Sequence, residues 1–204
     1  MGNPIDLSQF DMNLVSYIIR KRRNERGLTQ EELSDSFVSD STISNIENQE
    51  GNVKKRNIYH VLEKLGILRK QLPEVIKEVQ SEINEIQFQL EFIETLIDEG
   101  HLEEGTRELE SLSIEEYHPL HPYFLFLKAR HFFRKKEWKK AKEHFNNAIK
   151  IFDQYKIKPT DNIISMCYNE LSRCSSNQNN FEQALMYVNR GLNTYEESLA
   201  RNDI

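Results

Sequence analysis

Seven glycines and five prolines in 204 residues leave this chain few places to turn. So few turn residues argue against many short strands and for long helices. The length suits one or two domains and a hydrophobic core that needs no disulfide or metal staples. Eleven Phe, eight Tyr and one Trp are too many for a disordered polymer, even with 29% charged residues. No window of about 18 apolar residues could span a membrane. The opening MGNPIDLSQFDMN lacks the basic-then-apolar pattern of a secretory signal, and Asp6 stands where a myristoylation signal takes Ser or Thr. Two cysteines make no disulfide framework. The expectation is a cytoplasmic protein.

The net charge of −6 is unevenly spread. Residues 1–70 hold 11 Lys/Arg against 10 Asp/Glu, whereas residues 71–204 hold 16 against 23. The shift suggests two parts with different partners, divided at 70/71 just before Pro73. Basic residues of the first part cluster at Arg20, Lys21, Arg22, Arg23 and Arg26, and again at Lys54, Lys55 and Arg56. Such clusters are either a solvated face or a footprint on phosphates.

The pattern between the clusters narrows the choice. Leu14, Ile18 and Ile19 form an apolar stripe at helical spacing, ended by Gly27. Thr29 and Glu32 make a capping box for a short helix that carries Leu33 and Phe37. Ser39, Asp40 and Ser41 are all capable caps for a second short helix, Ser41–Glu47, with Ile43 and Ile46 inward and polar residues outward. A further amphipathic helix carries Ile58, Val61, Leu62 and Leu65. Two short helices joined by a tight turn form a helix-turn-helix, whose second helix enters the DNA major groove.

The segment RGLTQEELSDSFVSDSTISNIEN resembles the Xre/Cro-type DNA-binding domain. That resemblance implies DNA contacts from Gln30 to phosphate and from Asp40, Ser41, Thr42, Ser44 and Asn45 in or beside the groove. Asn45 suits an adenine edge, the Ser hydroxyls suit either base edges or phosphate, and Asp40 is equally an N-cap. Glu47 reads as structural. The recognition helix has no Lys or Arg, so phosphate attraction falls to Arg22, Arg23, Lys54, Lys55 and their neighbours. Pairing on a two-fold operator would compensate, which makes a homodimer the expectation.

From residue 74 onward helical patterns dominate. Leu125, Ala129, Phe132, Trp138, Ala141, Phe145 and Ala148 fall at tetratricopeptide-repeat intervals. A later copy reads Tyr168, Leu171, Ser172, Phe181, Ala184, Val188 and Gly191, and a fainter earlier one Phe92, Ile93, Leu96, Leu102, Gly105, Leu109 and Leu112. The fold expected is therefore all-α: an N-terminal helix-turn-helix bundle (1–70), then a right-handed α-solenoid of about three tetratricopeptide-like helix pairs (71–204) for peptide or protein binding and dimerisation. The last apolar pattern runs almost to the end of the sequence, and an uncapped repeat end favours self-association. The repeat resemblance places Tyr123, Phe126, Arg130 and Arg134, with Met166, Asn169, Arg173 and Asn177, on the concave face that takes extended peptides. Tyr123 and Phe126 serve equally as core aromatics.

The two parts together resemble the RNPP group of peptide-pheromone regulators from Gram-positive bacteria and their phages, with its PlcR-like and Rgg-like members. The resemblance implies quorum-sensing transcription regulation in which a short signalling peptide, bound to the repeats, shifts how paired DNA-binding domains are held. The alternative is a protein-binding adaptor or anti-regulator with weak or no DNA binding. His118-Pro-Leu-His121-Pro reads as a loop rather than a metal site, and Cys167 and Cys174 as packing thiols. No catalytic motif, metal or cofactor is expected.

Overall fold

A computed structural model describes residues 6–158 and 161–199. They form helices and no strand, arranged as two compact units, 1–85 and 86–204. The sequence boundary at 70/71 marks where the short helices give way to a long one, which runs on through the division between the units.

The first unit holds α1 (Met12–Glu25), α2 (Gln30–Leu33), α3 (Asp40–Asn48), α4 (Lys55–Lys64) and the first half of α5 (Leu72–Glu99). Asp11 caps α1 by accepting the Asn13 N–H. At its other end Gly27 takes φ +66°, and the Gly27 and Leu28 amides reach back to Asn24 and Arg23 carbonyls. Thr29 and Glu32 cap α2 reciprocally, as the sequence predicts. Val15, Ile18 and Ile19 of α1 and Ile43 and Ile46 of α3 share a core with Val61 and Leu62 of α4.

Two local expectations are corrected. Phe37 is not the last core residue of α2, which ends at Leu33; Phe37 is half exposed and Val38 is buried in its stead. The cause is Asp35, whose carboxylate accepts the Phe37 and Val38 amides and bends the chain into a turn. Of the three capable caps of α3, Ser39 takes the role by accepting the Thr42 amide, so Asp40 is not the N-cap and lies within the helix.

The second unit holds the rest of α5, α6 (Leu102–Ser111), α7 (His121–Arg134), α8 (Trp138–Gln154), α9 (Ile163–Asn177) and α10 (Phe181–Thr194). Three-residue links join α7 to α8 and α9 to α10, so each pair folds back on itself. Small residues sit where the helices approach. Ala129, Ala141 and Ala148 expose no surface, and a Cβ on Gly191 would meet the Ser165 carbonyl oxygen at 3.3 Å. The Phe126 and Phe145 rings fill the layer between α7 and α8, 5.7 Å apart. Of the earliest copy, Ile93, Gly105 and Leu109 are buried, but Phe92 points outward.

Candidate functional site

The first three helices of the first unit are tied by one buried carboxylate. Glu47 lies on the inner side of α3 with 4% of its surface exposed. It accepts Arg20 Nε at 3.3 Å, Arg23 Nε at 2.6 Å, Arg23 Nη2 at 3.0 Å and Gln30 Nε2 at 2.9 Å. Burial alone would raise its pKa. The bonds from Arg23 and Gln30 and the charges of Arg23 and Arg20 outweigh that and hold it below the usual glutamate value. Arg20 also donates to the Glu47 carbonyl and to Asn48 Oδ1, and Arg23 to the Leu28 carbonyl. Residues of α1 and α2 thereby set the depth and rotation of α3.

That anchoring leaves a polar outer face on α3. Asp40 and Ser41 are exposed, and Thr42, Ser44 and Asn45 are partly exposed. Ser41, Ser44, Asn45 and Asn48 follow the i, i+3, i+4, i+7 spacing of one helical face. Thr42 turns toward Ser39, whose hydroxyl lies 2.9 Å from its own. Asn48 donates to Ser44 and accepts from Arg20, which steadies the C-terminal end of this face.

The basic residues separate into two kinds. Arg23, expected on phosphate, spends its guanidinium on Glu47 and Leu28, because an inward carboxylate on α3 requires a counter-charge. Gln30, expected on phosphate through its helix-start position, donates its amide to the same carboxylate. Arg22 pairs with Glu25 at 3.1 Å and stays half exposed. Lys54 opens α4 at the surface. Lys55 is exposed beside Asp6 at 2.6 Å, and that contact leads the causes that bring the Asp6 pKa down to about 2.

In the second unit the expected peptide contacts also divide. Tyr123 is buried and donates its hydroxyl to Glu94 Oε2 at 2.6 Å, and Phe126 is 1% exposed against Phe145. Both are core aromatics, the second of the two roles the sequence left open. Arg130 is paired with Glu94 and Asp98 of α5 and lies over the Phe126 ring. Arg134 also reaches Asp98. On α9, Asn169 is partly exposed and Arg173 is exposed, its guanidinium 4.8 Å from the Phe133 ring and bonded to Glu170. Of the eight residues placed on that face, Arg134, Arg173 and Asn177 are exposed and Arg130, Met166 and Asn169 partly exposed; Asn169 and Arg173 are among those that retain surface where a ligand can reach them.

His118, His121, Cys167 and Cys174 are buried packing groups. His118 Nδ1 accepts the Leu120 amide, and His121 Nδ1 bonds the Ile114 carbonyl at 2.9 Å. Burial pushes the Cys174 thiol up to about 12 and the Cys167 thiol well above its ordinary value. Among the described residues no three His, Cys, Asp or Glu side chains are grouped to hold a metal ion. No helix among them is long and apolar enough to cross a membrane.

Sequence reasoning missed Asp35, His60 and Lys64, which meet at the turn before α3. The available signals were the spacing of His60 and Lys64, four apart on one helical face, and the turn-forming character of Asp-Ser.

Comparison with known proteins gives the following. Residues 19–69 match the helix-turn-helix family HTH_3. No curated protein matches the sequence. The crystal structure of Bacillus thuringiensis PlcR in complex with the peptide PapR7 and DNA aligns with a TM-score of 0.41 and 13% identity, covering 89% of this chain and 95% of that one. With α2, its turn and α3 inside the matched segment, the chain carries a helix-turn-helix domain at residues 19–69.

Proposed function

We propose that the protein is a cytoplasmic, sequence-specific DNA-binding transcription regulator. Its α3 reads base edges with Ser41, Ser44 and Asn45, flanked by Asp40 and Thr42. Arg22, Lys54 and Lys55 supply the attraction to phosphates. The observation that carries this reading is the outward polar face of α3 within the matched helix-turn-helix segment. Its test is selection of binding duplexes from a random pool, then titration of the winner against salt. Binding with a discrimination of at least about 10³ over random DNA supports the reading. Failure to enrich any sequence refutes it.

The repeat unit is the regulatory part in this proposal. Asn169 can clamp a peptide backbone and Arg173 a terminal carboxylate or acidic side chain. A short signalling peptide bound there shifts the population between two arrangements of a homodimer, and so changes DNA affinity. The homodimer contact we assign to α10. Phe181, Leu185, Val188 and Leu192 are all exposed, at the 4, 3, 4 spacing of a helical seam. In an antiparallel two-fold pair, Phe181 of each copy meets Leu192 of the other, Leu185 meets Val188, and Glu182 comes to Arg190. The stripe is self-complementary, as an isologous contact requires. Together the two copies would cover on the order of 1,000 Å², the size at which specific interfaces begin. Leu185→Glu with Leu192→Glu should convert a dimer to a monomer in sedimentation; a wild-type monomer at high concentration removes the homodimer.

One observation favours the second reading, an adaptor or anti-regulator that does not read DNA. Arg20 and Arg23 are turned inward and α3 bears no basic side chain. No retention on heparin at low salt would favour it.

A further inference from the structure

The turn between α2 and α3 is held from α4 with the Asp35 carboxylate at the centre of the contacts. Six residues, Ser34–Ser39, separate the two helices, and α2 is only four residues long. Carbonyls of α2 take the Ser34 amide, but the Phe37 and Val38 amides lie beyond the reach of either helix and turn to a side chain. Asp35 uses both oxygens. Oδ1 accepts the Phe37 and Val38 amides, each at 2.9 Å, and the Asp35 amide bonds the Val38 carbonyl. Oδ2 meets His60 Nε2 at 2.7 Å and Lys64 Nζ at 3.0 Å. Lys64 also donates to the Leu33 and Ser34 carbonyls, the open end of α2. The His60 ring packs on Phe37 with centroids 4.7 Å apart, and Arg56 lies over the same Phe37 ring.

We propose that Asp35, tied to His60 and Lys64, is a positioning residue for DNA recognition: it fixes the turn that sets the approach of α3 to the duplex. Glu47 anchors α3 from its inner side, and Asp35 anchors the chain entering it. Asp35 is itself no phosphate contact, since its charge would repel one. The proposal rests on the reading of α3 as the DNA-reading helix.

Two variants separate its two halves. Asp35→Asn keeps an oxygen for the Phe37 and Val38 amides but sets an amide group against His60 and Lys64. Asp35→Ala removes both functions. Each is compared with wild type as the full chain, by amide exchange in NMR and by titration of the duplex selected on the wild type. Asp35→Ala should speed exchange of the Phe37 and Val38 amides at least tenfold. It should weaken the duplex at least tenfold with an unchanged salt slope, because no phosphate contact is lost. Asp35→Asn should keep those amides protected and still weaken the duplex several-fold. Unchanged exchange in Asp35→Ala overturns the pin. Changed exchange with unchanged duplex affinity overturns its role in recognition. Absence of duplex binding by the wild type removes the function proposed above, and the exchange measurement then judges the pin alone.

Discussion

Glu47→Gln should loosen α3 out of proportion to the one heavy atom it changes. The side chain keeps its shape but loses its charge, and Arg20 and Arg23, with 9% and 12% of their side chains exposed, lose their shared counter-ion. Breaking a buried pair by removing one partner costs about 3–5 kcal/mol. Here the low end applies, about 3 kcal/mol, because Arg20 keeps the Glu47 carbonyl and Asn48, and Arg23 keeps the Leu28 carbonyl. At 1.4 kcal/mol per decade that is about a hundredfold in the opening equilibrium. Amide exchange of Ile43 and Ile46 in the full chain reads this directly, without assuming that both units unfold together. Less than a threefold change would refute the argument that one carboxylate ties α1 and α2 to α3. The same group sets an acid limit. Its pKa is lowered in the folded state, so its contribution is whole above the ordinary value of 4.5 and fades as pH falls through the lower folded value.

Phe126→Ala should destabilise the repeat unit by about 3–5 kcal/mol, measured by thermal unfolding; a loss under about 1 kcal/mol would return Phe126 to the surface. Arg173→Ala, whose side chain is 55% exposed, should change stability by less than about 0.5 kcal/mol, and a larger drop in melting temperature would make it structural. Burial lowers the pKa of His121 and His131, so the stability of the second unit should be whole above about pH 6.5 and fall as pH drops through that value toward the folded pKa values. A melting temperature that stays flat from pH 8 to pH 5.5 contradicts this.

The parts of this fold legible in the sequence are those made by residues close together in the chain. The Thr29–Glu32 box, the Gly27 stop and the inward Ile43 and Ile46 are set by neighbours within a turn or two, so spacing alone reveals them. The small residues Ala129, Ala141 and Ala148 announced a close helix pair for the same reason: their intervals follow the helical period. Phe37 shows the limit. Its spacing from Leu33 is helical, yet an Asp35 carboxylate shared with α4 turns the backbone before Phe37 can join the core.

Which charges face outward was decided by the tertiary structure. Arg22 and Arg23 are adjacent and alike in sequence, but α1 points one at solvent and the other at a carboxylate 24 residues away. Likewise Arg130 and Arg173 are matched in the repeat pattern read from the sequence, and only Arg130 has Glu94 and Asp98 of α5 within reach. The sequence by itself determined an all-helical chain with a helix-turn-helix near its start, because local periodicity and capping act within a few residues. The assignment of each polar side chain to an interior tie or to a reading face needed the folded chain, because a long-range ion pair forms only once packing has brought its partners together.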